Sequence, residues 1–425
     1  MELKDKTVVT YHRGVDTIGG TNIEISYGNS HIFFDLGIVF KPELNLENEH
    51  YDTLVKNHLI PKLSGFYDEQ LPSAPSWNSD FKHSAAFVSH LHLDHTKMIN
   101  YVDERLPIYA TPETIKVLNA INEQQDFLLP AWEHSNNYIR PINQLKINQK
   151  ISIGQIEVEF VPVDHDADGA VAFLIHTPDN FIAYTGDLRL HGFHPEWTRK
   201  FMEKAKNCDL LISEGVGVSF PNENRLEISS ENDLVTNFCK IIKENIHSPI
   251  TFNTYPGNLS RLIEICNQCP RKVVLSASRA NLLKKVTGIQ ESYYYLPGEK
   301  RILDLNPENE VSLADLFEYP EKYVWQIEQQ FELLKPGTIY IHSDAEPLGD
   351  FDPAYHTFIE KLEKQDVQMI RLTCSGHATS EELGEIIAGI KPQLLTPIHS
   401  FHPENLKNPF GKRLLVQNGQ SLVLR

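Results

Sequence analysis

Cysteine is scarce in this 425-residue chain: Cys208, Cys239, Cys266, Cys269 and Cys374 are an odd, widely spaced set of five. That excludes a disulfide framework as the source of stability and suits a reducing compartment. Long apolar runs are absent as well, none approaching the ~18 residues that a membrane span needs. The start, Met1-Glu2-Leu3-Lys4-Asp5-Lys6, lacks the basic-then-apolar pattern of a secretory signal. The cytoplasm is therefore the expected location, and no membrane partner is expected. Positive charge is in deficit, with 39 Lys and Arg against 57 Asp and Glu and a net charge of -18. Such a surface cannot coat a polyanion as a whole, so any nucleic-acid contact must be local. Bound divalent cations would reverse the field inside a site, which leaves phosphate chemistry open. Repeats, low-complexity tracts and long runs of like charge are missing too. With 41% hydrophobic residues, the chain is expected to form two or three ordered, compactly joined domains.

What is present begins with short apolar runs that read as strands: Ile32 to Phe34, Ala85 to Val88, Ile156 to Val161, Ala170 to Ile175, Phe181 to Tyr184 and Leu210 to Ile212. From about residue 230 the rhythm becomes strand then helix. Ile250 to Phe252 and Val273 to Leu275 read as strands, and Leu259 to Cys266 and Ala280 to Val286 as helices, the pattern of an α/β unit with a parallel sheet. Further strands are expected at Ile339 to His342, Ile370 to Thr373, Leu394 to Thr396 and Leu414 to Val416. Between the second and third of these lies a helix with a legible start. Thr379 or Ser380 can cap it, Glu381 and Glu382 suit its positive end, and Leu383, Ile386, Ile387 and Ile390 share one face.

The stretch from Ala85 to His95 is the most informative, because an apolar strand runs directly into His90, His92, Asp94 and His95. Imidazole nitrogen and carboxylate oxygen suit Zn²⁺ or Mn²⁺, and alternate residues such as His90 and His92 project the same way from an extended chain. Asp94 and His95 can serve a neighbouring metal. Other polar residues follow other strands in the same relation: Asp35, His165, Asp187, Glu214, His377 and His399. Each alone is an ordinary loop residue. Together they fit an α/β architecture whose strand ends converge on one rim, where sites are built.

His90-Leu91-His92-Leu93-Asp94-His95 resembles the HxHxDH signature of metallo-β-lactamase-fold hydrolases. Thr17-Ile18-Gly19-Gly20 and Phe34-Asp35-Leu36-Gly37 look like the first hairpin of that superfamily, and His165 and Thr185-Gly186-Asp187 like its third-histidine and bridging-aspartate motifs. Ser375-Gly376-His377-Ala378 and Pro397-Ile398-His399, with the histidines 22 positions apart, resemble the last two motifs of the β-CASP nucleases, specifically the RNase J branch. Thr251-Phe252-Asn253, Arg271-Lys272-Val273-Val274 and Glu346-Pro347 look like pieces of that branch's inserted domain, and Glu214 like its acidic motif. The chain departs from the branch in having His342-Ser343-Asp344-Ala345 in place of a glycine-rich loop, and Ser400-Phe401 rather than Gly-Glu after His399.

The resemblance implies an α/β fold, a metallo-β-lactamase αββα sandwich with an inserted α/β (β-CASP) domain. It would be laid out as residues 1–215, an insertion at 216–367, and a return over 368–425. It implies one metal held by His90, His92 and His165, a second by Asp94, His95 and His399, and Asp187 bridging them. Catalytic roles fall on Asp94, Asp187, His377 and Glu214, with His377 binding the phosphate or protonating the leaving oxygen and Glu214 orienting His377 or its neighbour. Asp35 is expected to hold the ligand loop from behind. The implied cofactors are two divalent ions, Zn first and Mn second. The implied activity is hydrolysis of single-stranded RNA by a two-metal-activated water, in exo- or endonucleolytic mode. A DNA nuclease or a small-molecule hydrolase of the same fold is the alternative, and a silent binding subunit a third reading. Self-association into a homodimer is compatible with the sequence.

Lesser features carry two readings each. Arg271, Lys272, Arg279, Lys284 and Lys285 either track a polyanion backbone or form a solvated helix face. Tyr293-Tyr294-Tyr295 reads better as a core strand than as a base-stacking surface, and Cys266-Asn267-Gln268-Cys269 as a helix-end pair than as half a metal site. His191 and His194 read as loop residues.

Overall fold

The computed structural model describes residues 6–74, 81–124, 127–135, 137–220, 228–302 and 304–424. The chain divides into two units, Met1–Arg225 together with Gly376–Arg425, and Leu226–Ser375. Both breaks fall somewhat later along the chain than the boundaries at 215/216 and 367/368 read from the sequence. Local bonding accounts for this: Ser219 stays with the first unit through a 2.8 Å contact to the Ser400 hydroxyl, and Cys374 stays with the second by donating its N–H to Asp344.

Among the described residues, the first unit contains two seven-stranded sheets. One comprises β1 (Val8–Arg13), β2 (Asn22–Tyr27), β3 (Ser30–Phe34), β4 (Ser84–Phe87), β5 (Ile108–Ala110), β6 (Asn143–Gln144) and, beside β1, β20 (Gln420–Val423). The other comprises β7 (Lys150–Ile153), β8 (Ile156–Pro162), β9 (Val171–His176), β10 (Phe181–Tyr184), β11 (Leu210–Glu214), β18 (Leu394–Ile398) and β19 (Lys412–Arg413). Their inner faces share one core. Val9 and Tyr11, Ile23 and Ile25, and Ile32 and Phe34 alternate inward from the first sheet, and Val158 and Phe160, Phe173 and Ile175, and Ile182 and Tyr184 from the second. Phe34 meets Phe173 across the layers with ring centroids 4.8 Å apart. The outer face of the second sheet, with Ala172, Leu174, Ala183 and Leu211, packs on helices Pro195–Lys204 and Ser380–Ile390. This is the expected sandwich.

The second unit holds β12 (Ile250–Thr254), β13 (Lys272–Ser276), β14 (Ser292–Tyr294), β15 (Tyr323–Gln326), β16 (Ile339–Ser343) and β17 (Gln368–Arg371) in the order β14-β13-β15-β12-β16-β17. Every pairing is parallel, as the alternating strand and helix pattern requires. In this unit the fully buried Arg261 is satisfied by Glu231 at 2.7 and 2.8 Å and by Asp344 at 2.6 Å.

Three expectations change. The strand expected to reach Thr373 ends at Arg371, and Leu414–Val416 is not a strand, the pairing lying instead at Lys412–Arg413. The latter has a plain cause: the ladder runs through Lys412 N–H to Gln393 O and Leu414 N–H to Leu395 O, and its next rung would need an amide from Pro397, which has none. Arg271 and Arg279 do not form a basic track. Arg271 donates to the carbonyls of Asn245, Ser248 and Pro320, and Arg279 to Glu328 and to the Thr254 carbonyl. Tyr293 and Tyr294 are buried, and Cys266 and Cys269 close a helix with both thiols pushed up by burial. Among the described residues, no helix is long and apolar enough to cross a membrane.

Candidate metal centre

The site is built where strands stop. β3 ends at Phe34 in register with Phe87 of β4, so Asp35 and the loop after β4 leave the sheet side by side. Asp35 turns sharply, at φ 61, and its carboxylate accepts from the Ser89 N–H at 2.8 Å, the Ser89 hydroxyl at 2.9 Å, the Tyr184 hydroxyl at 2.6 Å and His95 Nδ1 at 2.9 Å. Gly37 lets the loop close: a Cβ there would lie 1.5 Å from the Asp94 carbonyl oxygen. β10, β11 and β18 run parallel, with Glu214 level with Ile398, and deliver Asp187, Glu214 and His399 to the same edge.

Four of the imidazoles have their rings fixed by what Nδ1 touches. His90 Nδ1 meets the Ser89 hydroxyl at 2.9 Å, His95 Nδ1 meets Asp35, and His165 Nδ1 meets the Gly376 carbonyl at 2.6 Å. His399 Nδ1 lies 3.4 Å from the Thr21 hydroxyl, which can accept from it and leave Nε2 free, whereas the Gly19 N–H at 3.3 Å favours the opposite tautomer. Nε2 is what remains. Asp187 Oδ2 lies 3.1 Å from Nε2 of His95, 3.6 Å from that of His90 and 3.7 Å from that of His399. Asp94 Oδ2 is 3.5 Å from Nε2 of both His95 and His399, and His92 Nδ1 is 3.2 Å from His165 Nε2. The potential ligand atoms fall into two groups, His90, His92 and His165, and Asp94, His95, Asp187 and His399, each within 4.8 Å of one another.

Nε2 of His90, His95 and His399 and both oxygens of Asp187 are buried without a hydrogen-bond partner of acceptable geometry. A buried polar atom left unpaired costs about 1–3 kcal/mol, so five in one place call for a cation that satisfies them together. The charge states agree except at His95, where burial is outweighed by Asp187, Asp94 and Asp35, which raise it, so that a metal would displace its proton. Burial pulls His90 far down and His165 to about 3, leaving neutral imidazoles with a lone pair to offer. Burial would raise Asp187, but His399, His95 and His377 outweigh it and hold the carboxylate ionised. The nitrogen and oxygen donor set is that of Zn²⁺ or Mn²⁺.

A family profile for the Beta-lactamase superfamily domain matches residues 65–236. Over those residues the chain carries a domain of the metallo-β-lactamase superfamily. Within that superfamily it is RNase J-like: it is 24% identical to the Ribonuclease J of Pyrococcus abyssi over 91% of this chain and 88% of that protein. It is 23% identical to the Ribonuclease J of Mycoplasma genitalium over 99% of this chain and 74% of that protein. A solved structure of a protein of unknown function from Enterococcus faecalis V583 is 48% identical, covers 99% of this chain and 100% of that one, and superposes with a TM-score of 0.94. Divalent metal ions follow from the superfamily.

His377 stands beside the two ligand groups rather than within either. Its Nδ1 lies 3.7 Å from Glu214 Oε1 and 3.8 Å from Asp187 Oδ2. Burial works against its charge, but Asp187, Glu214 and Asp166 outweigh burial and raise it to about 9. Glu214 also accepts the Val216 N–H at 2.8 Å and the Ala378 N–H at 3.3 Å, so it pins the turn that carries His377. His191 pairs with Glu382 and His194 with Glu196, outside both groups.

Three residues of the site escaped the sequence reading. Ser89 and Tyr184 complete the Asp35 network. Asp166, with its Oδ1 buried and lacking a hydrogen bond, lies 3.3 Å from His165 Nε2 and 3.6 Å from His92 Nε2. Gly376 is what admits it, since a Cβ there would sit 2.2 Å from that oxygen. The acidic pair flanking His165, Asp164 and Asp166, was the available signal.

Proposed function

We propose that this protein is a metal-dependent phosphodiesterase, a ribonuclease that hydrolyses single-stranded RNA. The observation that carries the reading is the convergence of unpaired, buried Nε2 atoms of His90, His95 and His399 on the Asp187 carboxylate. His90, His92 and His165 would hold one ion and Asp94, His95 and His399 the other, with Asp187 shared between them. Zn is the first candidate and Mn the second. Such a pair supplies a water of lowered pKa and offsets charge on phosphoryl oxygens. The chain's own residues do the rest. Asp35 orients His95 and, through Ser89, His90. His377, beside Asp187 and Glu214, would hold the scissile phosphate or give a proton to the leaving oxygen, and Glu214 would position it. The second unit, with its parallel sheet, is read as the β-CASP-like insertion. The names of the Ribonuclease J relatives support RNA as the substrate.

The net charge of -18 favours one competitor, a hydrolase of small phosphodiesters. End-labelled RNA and DNA with 5′-phosphate or 5′-triphosphate, incubated with Zn²⁺ or Mn²⁺, separate the cases. A product ladder from RNA alone is expected. Cleavage of neither polymer under either metal would replace this reading with the small-substrate one.

A further inference from the structure

We propose that Phe220 and Phe401 form a platform on which a nucleobase of the substrate strand stacks, next to the metal centre. The inference rests on the reading of the protein as a nuclease, and it names the contact that captures the strand. Single exposed hydrophobic side chains are ordinary, but here two adjoin: Phe401 is 51% exposed and Phe220 39% exposed. The two rings meet edge to face, with centroids 6.1 Å apart and planes at 86°. Their exposure is enforced by the backbone. The hydroxyls of Ser219 and Ser400 meet in a buried contact of 2.8 Å, the Phe401 N–H donates to Ser219 Oγ at 3.0 Å, and Ser219 Oγ in turn donates to the Gly215 carbonyl. Gly215 fits against Ser400 so closely that a Cβ would stand 3.1 Å from it.

Position selects the occupant. β11 and β18 are neighbours in register, and the two phenylalanines lie in the loops that leave them after Glu214 and His399. Phe401 is two residues beyond His399, a reach of roughly 7 Å at most. Charge selects it again. A chain carrying -18 has no general attraction for a phosphate backbone, which gives uncharged contact with a strand more weight. Stacking on an aromatic face is such a contact, and it tolerates any base. The same Ser400-Phe401 pair stands where the RNase J pattern has Gly-Glu, so the platform belongs to this chain's own departure from that pattern.

The test uses metal-loaded protein and a hydrolysis-resistant phosphorothioate oligoribonucleotide followed by fluorescence anisotropy, with a single abasic site walked along the strand. At one position the abasic site should weaken binding about tenfold. Phe401→Ala should weaken binding of the intact strand by a similar factor and add nothing at that position, while Phe401→Trp retains wild-type affinity. Phe220→Ala should show the same coupling, and melting curves of all variants identify any that fail to fold. Penalties that simply add at every position, or their absence, overturn the platform. Cleavage of ordinary RNA is scored separately. Cleavage without coupling removes the platform alone, coupling without cleavage removes the hydrolase reading alone, and failure to bind any strand removes both.

Discussion

Asp35 never touches a ligand atom of either metal group, yet its carboxylate gathers Ser89, His95 and Tyr184 in one buried knot. Asp35→Asn keeps the shape and places an amide where His95 Nδ1 needs an acceptor, favouring the tautomer that blocks Nε2. Metal affinity should fall about 10–100-fold, read by competition with a chelator, with the fold retained. Unchanged affinity would show that the ring is held by packing alone. His377→Ala tests the opposite case: turnover should drop about 10²–10⁴-fold while metal content stays at its wild-type level. If metal is lost instead, His377 is a ligand. At this scale the histidines that the fold brings together were legible because they cluster just beyond apolar runs such as Ala85 to Val88 and Leu394 to Ile398. Asp166 was not, because its role comes from the close approach of Gly376, 210 positions away, which no local pattern encodes.

Secondary structure was legible wherever one rule acted alone. The helix Ser380–Ile390 begins with a full capping box, Thr379 Oγ1 accepting from the Glu382 N–H at 3.2 Å and Glu382 returning the bond at 3.0 Å. Thr379→Ala should cost about 1 kcal/mol and lower the thermal midpoint by a few degrees, and Thr379→Ser should restore it. Strands such as β1 and β2 went unread because polar residues occupy their outer faces. Glu24 of β2 is one of these, bonded to His12 of β1 at 2.9 Å and to His31 of β3 at 2.7 Å. Burial would raise its carboxyl, but the two histidines outweigh burial and lower it from 4.5 to about 2. A depressed carboxylate contributes stability above its unfolded pKa and loses it as pH falls through the folded value. The contribution is on the order of 2–3 kcal/mol, lost between about pH 4.5 and 2. Glu24→Gln should therefore be less stable than wild type at pH 6 and show a shallower acid limb in denaturant titrations. Parallel limbs would remove Glu24 from the account.

At the scale of the molecule, the parallel sheet of the second unit and the return of the chain to the first were legible from strand rhythm and from His377 and His399. The boundaries were not, because Ser219 and Cys374 are held by side-chain bonds that composition does not reveal. The division has a thermodynamic consequence. Every residue of both ligand groups, from His90 to His399, lies in the first unit, and none lies in Leu226–Ser375. Metal that binds only the folded site stabilises it by RT ln(1 + [L]/Kd), about 4 kcal/mol at a thousandfold excess over Kd. At about 2 °C per kcal/mol for a unit of about 275 residues, the midpoint of the first unit should rise by roughly 7 °C when Zn²⁺ replaces chelator. Calorimetry should show that transition moving while one assigned to the second unit, by a variant such as Arg261→Met, stays in place unless the two melt as one. Asp187→Asn should abolish most of the shift by removing the shared carboxylate. A midpoint indifferent to Zn²⁺, Mn²⁺ and chelator alike would leave the buried Nε2 atoms without their cation, and the metal centre would have to be given up.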